Sequence, residues 1–418
     1  MSARTASVSG TDPIARMTPA PVKPDYRFRD KTITFLESRY KKDSVDMITP
    51  RMLAGEYLQR YREHGDIGDV LRAEAAAKTS LAAFPRYVPA DLTLAGVEVT
   101  LHRFREAKGL IRSASLGRAG DPSIALDEAS VDLELGAYDE ARKLIEATRG
   151  KAPIASDVVI ARWDEISGDL REAEPLLERA MRYADSIYDV PAERRAWYHF
   201  RLGELRYLRG DNEGALAAER DALTIYPDDL NALQALARIA LANKAYDVAE
   251  DAAKRSVAIV PSPETLGILA DAQEHFGRTA EAAASRAEID AVEKIGNAQH
   301  VNDRLIAVYL ADHGVRVDDA YAIAKRELAL RRDVYAEDTL AWCAAKAGHW
   351  NEARIAARKA LRFDTEDPRI QYHAGVIAQQ AGDTSEARKR YERALALNPR
   401  FSATGADDAR ARLEAIQK

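Results

Sequence analysis

Residues 202–227 read LGELRYLRGDNEGALAAERDALTIYP. Gly210 interrupts a helix-forming run, and Asp211 and Glu213 follow it. Glycine takes positive φ freely, so a helix stops there and the chain turns. Acidic residues suit the start of the next helix, where the dipole is positive. Ala215 then stands where two helices must cross closely and a larger side chain would push them apart. Pro227 closes the stretch. The segment reads as two antiparallel helices joined by a tight turn.

The same reading repeats in both directions. An alanine ladder runs Ala73, Ala107, Ala141, Ala173, Ala215, Ala249, Ala282, Ala320, Ala353 and Ala387, with gaps of 34, 34, 32, 42, 34, 33, 38, 33 and 34. A glycine ladder leads it: Gly136, Gly168, Gly210, Gly277, Gly314, Gly348 and Gly382. Gly65 leads Ala73 in the first unit. The turn is plain in Gly136-Ala-Tyr-Asp-Glu-Ala141, Gly168-Asp-Leu-Arg-Glu-Ala173 and Gly348-His-Trp-Asn-Glu-Ala353. A self-similar period near 34 residues is the mark of a solenoid.

The unit resembles the tetratricopeptide repeat, whose pattern runs W-x2-L-G-x2-Y, A-x3-F and a closing Pro. Leu202-Gly203, Gly210-Asp211, Ala215, Ala222-Leu223 and Pro227 match it, as do Gly375, Gly382-Asp383, Ala387, Tyr391, Ala394-Leu395 and Pro399. The unit with Leu236-Ala237, Tyr246, Ala249 and Pro261 fits with Lys244 in place of the turn glycine. His102 stands at the turn of the second unit, and Ile289 and Glu327 occupy a normally small site. The resemblance implies an all-α fold: a right-handed superhelical α-solenoid of about ten helix-turn-helix repeats.

The expected organisation is a flexible tail over 1–24, an N-terminal helix or cap over 25–50, the array over 51–400 and a capping helix over 401–418. Pro13, Pro19, Pro21 and Pro24 break any helix in the tail. The 42-residue gap marks an insert near 183–194, and the 38-residue gap a longer second helix near 280–294.

Composition agrees and excludes alternatives. The chain has 418 residues and a net charge of −6, which gives no electrostatic reason to expect nucleic acid. Cys343 is the one cysteine, so a disulfide framework within the chain is impossible. No apolar run is long enough to span a membrane. Met1 to Lys23 lacks the apolar core of a secretory signal, so the expected compartment is the cytoplasm.

Catalytic signatures are absent. No dinucleotide or phosphate-binding glycine loop, zinc-protease motif, EF-hand loop or nucleophile elbow occurs. Ser38-Arg-Tyr-Lys41 matches Ser-x-x-Lys without the partner motifs that would give it meaning. His64, His102, His275, His313 and His349 fall at or beside turns. They read as residues favoured by the helix C-terminal dipole rather than as metal ligands. Cys343 reads as a small packed residue. Lys325-Arg326, Arg331-Arg332 and Arg388-Lys-Arg390 read as a solvated outer face. No enzyme activity, cofactor or metal is expected.

Tetratricopeptide arrays mostly bind along the concave surface lined by first helices, so the resemblance implies a partner there. Helical spacing and register nominate Arg162 and Glu165; Phe200, Glu204 and Tyr207; Gln234 and Arg238; Asp271 and Glu274; Arg304; Trp342; and Tyr372 and Gln379. The Lys/Asn/Arg clamp by which some family members hold C-terminal carboxylates is not visible. An extended peptide of mixed charge, or a folded partner, fits better than an acidic tail. The expected function is a non-catalytic protein-interaction scaffold. A self-assembling structural protein and a small-ligand-binding subunit of an enzyme complex are the alternatives.

Overall fold

The structure is a computed structural model that describes residue 14, residues 17–296 and residues 303–417. A short 3-10 turn at Asp25–Phe28 leads into α1 (Arg29–Lys42). Ten hairpins follow among the described residues. They are α2 (Ile48–His64) with α3 (Ile67–Ala83), α4 (Val88–Thr100) with α5 (Phe104–Gly117), α6 (Pro122–Glu134) with α7 (Tyr138–Thr148), and α8 (Pro153–Ser167) with α9 (Leu170–Ser186). Next come α10 (Ala192–Leu208) with α11 (Asn212–Ile225), α12 (Leu230–Ala242) with α13 (Tyr246–Ile259), and α14 (Pro263–His275) with α15 (Thr279–Gly296). The last are α16 (Asp303–His313) with α17 (Val317–Leu330), α18 (Val334–Lys346) with α19 (Trp350–Ala360), and α20 (Pro368–Gln380) with α21 (Thr384–Leu397). Then α22 (Gly405–Gln417) covers the end. The helices of each hairpin pack on each other and each hairpin packs on the next, so the chain is a helical-repeat solenoid.

The two ladders do different work. The turn residue has positive φ in every unit, from 57° at His102 to 87° at Gly168, and Lys244 adopts 62° where glycine is missing. None of the ten ladder alanines is more than 1% exposed. Adding bulk at such a crossing typically costs about 1–3 kcal/mol. Four turn histidines lie against aromatic rings: His102 on Phe104, His275 on Tyr246, His313 on Tyr309 and His349 on Tyr321. Cys343 is fully buried, with its Sγ 3.5 Å from the Ala307 carbonyl oxygen, and burial pushes its thiol pKa up.

The array coils back onto itself. The turns of the first, third, fourth and fifth units lie against loops four to six units later. Tyr226 Oη donates to the Glu63 carbonyl (2.8 Å), Tyr138 Oη accepts from the Val334 amide (2.9 Å), and Thr365 Oγ1 donates to the Ile166 carbonyl (2.7 Å). Tyr207 Oη donates to the Arg400 carbonyl (2.9 Å), and Asn398 Nδ2 donates to the Tyr207 carbonyl (2.7 Å). These partners lie between 163 and 199 residues apart. Phe363 packs edge-on against both Tyr138 and Trp163, adding apolar area to the seam. The second superhelical turn therefore sits on the first.

Two sequence expectations change here. Residues 17–24 of the tail lie against the insert. The Ala20 amide donates to the Asp185 carbonyl (2.8 Å), and Arg195 donates to the carbonyls of Ala20 (3.0 Å) and Pro21 (3.2 Å). The insert is the last turn of α9, a short loop and the first turn of α10, and it receives this strap. The rest of the tail, 1–13 and 15–16, lies outside the described residues. The basic runs are not uniformly solvated either. Arg331 is 8% exposed and pairs with Glu134 (2.8 Å) across the seam, and Arg390 is held by Asp364 and Glu386.

Candidate functional site: the lumen of the superhelix

Coiling the array onto itself turns the concave face into the wall of a cavity of about 1580 Å³. One register position builds it. The residue six before the turn lines the cavity in every unit from the third to the tenth: Ser130, Arg162, Glu204, Arg238, Asp271, Val308, Trp342 and Val376. This is the first-helix face opposite the alanine crossing. Along consecutive units the wall first alternates in sign through Arg162, Glu204, Arg238 and Asp271, and then becomes apolar.

The charged arc is laced together. Arg162 contacts Glu165 (3.2 Å) and Glu134 (3.7 Å), and its guanidinium lies 4.7 Å from the Tyr335 ring centroid. Arg201 reaches Glu165 at 2.6 Å. Arg238 bridges Glu204 (2.5 Å) and Glu264 (3.2 Å). Arg286 pairs with Asp271 (3.2 Å) and with Glu274. Burial would raise the Glu134 pKa, but Arg331, Arg162 and Arg304 outweigh it and hold the carboxyl low.

The apolar arc is aromatic. Trp342 stacks on His373 (4.1 Å between centroids), takes the Lys346 ammonium over its ring (4.5 Å) and donates its indole N–H to Asp312 (2.7 Å). Tyr372 donates to Asp408 (2.7 Å) and packs on Phe401. Three of the four tryptophans, Trp197, Trp342 and Trp350, line this cavity.

Ten of the thirteen nominated residues lie on the lumen wall: Arg162, Glu165, Phe200, Glu204, Arg238, Asp271, Glu274, Arg304, Trp342 and Tyr372. Tyr207 does not. It is 3% exposed and serves as a strut between superhelical turns through the bonds to Arg400 and Asn398. Gln379 is engaged by Tyr391 (2.8 Å) and Arg412 (3.0 Å), and neither it nor Gln234 lines the cavity. Sequence reasoning missed Trp197, Tyr246, Tyr335 and Trp350. Trp197 would follow from Phe200 and Glu204 by helical spacing. Tyr246 and Trp350 sit on second helices and carry no such signal.

Among the described residues, no group of three or more His, Cys, Asp or Glu is placed to hold a metal ion. No described helix is long and apolar enough to cross a membrane.

No protein-family model matches the chain, and no curated protein matches it in sequence. Solved structures similar to it include yeast Tom70, at 14% identity and a TM-score of 0.34, covering 94% of this chain and 93% of that one. The Cut9–Hcn1 hetero-tetramer of APC/C is similar at 10% identity and a TM-score of 0.35, covering 94% of each chain. A tetratricopeptide repeat protein from Parabacteroides merdae is similar at 15% identity and a TM-score of 0.34, covering 64% of this chain and 99% of that one.

Proposed function

We propose that the chain is a non-catalytic binding protein that holds an extended segment of a partner protein inside the lumen. The size and lining of the cavity carry this reading. At about 1580 Å³ it exceeds small-molecule pockets, which run to roughly 300–1,000 Å³. Its wall offers alternating charges on one arc and aromatic rings on the other. An extended chain presents side chains to alternate sides and can meet both arcs at once. Aromatic and arginine side chains are also those that most often dominate binding energy.

A photo-crosslinking amino acid placed at Phe200, on the wall, tests the reading against one placed at Ile355, which is 52% exposed on a second helix. Expressed in its native cells, the Phe200 variant is expected to label one short segment of a partner, and a synthetic copy of that segment should compete. Equal labelling from Ile355, or labelling that no such peptide competes, would contradict it.

A further inference from the structure

Of the three nominated arginines, two are matched by acids and one is not. Arg162 and Arg238 each contact two carboxylates. Arg304 also lines the lumen, yet it makes no hydrogen bond or ion pair with any described residue. Three acids lie near it without bonding to it. Glu134 holds Arg331 and Arg162, Glu327 holds Arg331 (2.7 Å), and Asp333 caps α18 through the Ala336 amide (2.6 Å) with one oxygen and keeps the other buried without a partner. The remaining neighbours add no negative charge. Arg331 is cationic, and His102 has a buried Nδ1 with no partner. Burial first, and Arg331 second, lower the Arg304 pKa to about 10. The same two effects, with Arg304 adding to them, lower His102 to about 4 and keep its ring neutral. The Arg304 guanidinium donors are therefore unspent within the chain, and polar groups of this kind are normally satisfied by a partner.

We propose that Arg304 is the docking point for an acidic side chain, Asp or Glu, of the segment held in the lumen. This rests on the reading of the lumen as a peptide channel. The Arg304 guanidinium offers a planar fork that a carboxylate can meet with two parallel bonds. The rest of the charged arc holds more carboxylates than guanidiniums, so it accommodates one acidic residue of the ligand at Arg304 rather than a run of them. A second acid would meet Glu165, Glu204 or Asp271 instead.

The test uses the full chain and fluorescent peptides of about twelve residues, enough to extend about 40 Å. They are blocked at both ends, so that no terminal carboxylate contributes. Two pools randomise Ala, Leu, Ser, Tyr and Arg and differ only in carrying Glu or Gln at set positions. Anisotropy is expected to show the Glu pool binding about tenfold or more tightly, the worth of a charge-assisted hydrogen bond. Arg304→Gln should abolish that preference and, without peptide, melt no lower than wild type. Equal binding of the two pools by wild type overturns the assignment, and so does a preference that survives in Arg304→Gln. An Arg304→Gln chain that melts lower than wild type, or binds neither pool, marks a structural group and also overturns it. If wild type binds neither pool, the peptide-channel reading fails as well, whereas binding without preference sinks only the role of Arg304.

Discussion

Gly136 and Gly348 stand at the same turn of their units, with φ of 71° and 81°. A Cβ on Gly136 would meet the Arg332 carbonyl oxygen at 2.4 Å, while one on Gly348 meets nothing within 4 Å. The same divide separates Gly65, Gly168 and Gly210 from Gly277, Gly314 and Gly382. The first group lies under a later loop and the second under none. Gly348→Ala should therefore cost about 1 kcal/mol, the backbone strain alone. Gly136→Ala should cost clearly more, because backbone must move, and denaturant unfolding measures the difference. Asp229 gives a second prediction at this scale. It is 1% exposed and caps α12 through the Ala232 amide, and burial raises its pKa to about 7. The folded chain keeps a proton that the unfolded chain releases, so stability falls as pH rises from about 4 to about 7. Asp229→Asn keeps the cap, since Asn caps as well as Asp. Its gain should be near zero at pH 4 and reach on the order of 1–3 kcal/mol at pH 8. A gain independent of pH would show that the carboxyl is not the cause.

Among the elements, hairpins were legible in the sequence and the strap was not. Turn glycines and crossing alanines are local requirements, so each hairpin announces itself. The strap over 17–24 reads as tail because its bonds are made by backbone, which no side-chain pattern records. Only the insert near 183–194 hinted that something else sits there. Arg195 holds the two together: its side chain is 3% exposed and joins Asp185 (3.4 Å) to the Ala20 and Pro21 carbonyls. Arg195→Ala should free the strap. Elastase should then cut after Val22, next to Lys23, which in the intact chain pairs with Asp189 (3.2 Å), about tenfold faster. Unchanged cleavage would mean that Arg195 does not secure the strap.

At the scale of the whole molecule, the register placed ten of thirteen nominated residues on the lumen wall, because a first-helix face follows from helical spacing alone. What spacing cannot supply is pitch. Whether an array opens into a groove or closes into a tube depends on small rotations summed over many units. Tyr207 was misplaced for that reason: its face is right, but a later loop covers it. The turn-to-turn seam is the central claim, because the lumen exists only if it closes. Lys244 Nζ lies 3.1 Å from the Asp407 carboxylate across that seam, and both side chains are more than half exposed. A zero-length carbodiimide crosslink on the monomeric chain, read by mass spectrometry, tests it directly. The local pair Lys254–Glu250, at 2.6 Å within α13, serves as the control. A closed superhelix predicts that Lys244 joins Asp407 within one chain. Formation of the control link without that one would show that the turns stand apart.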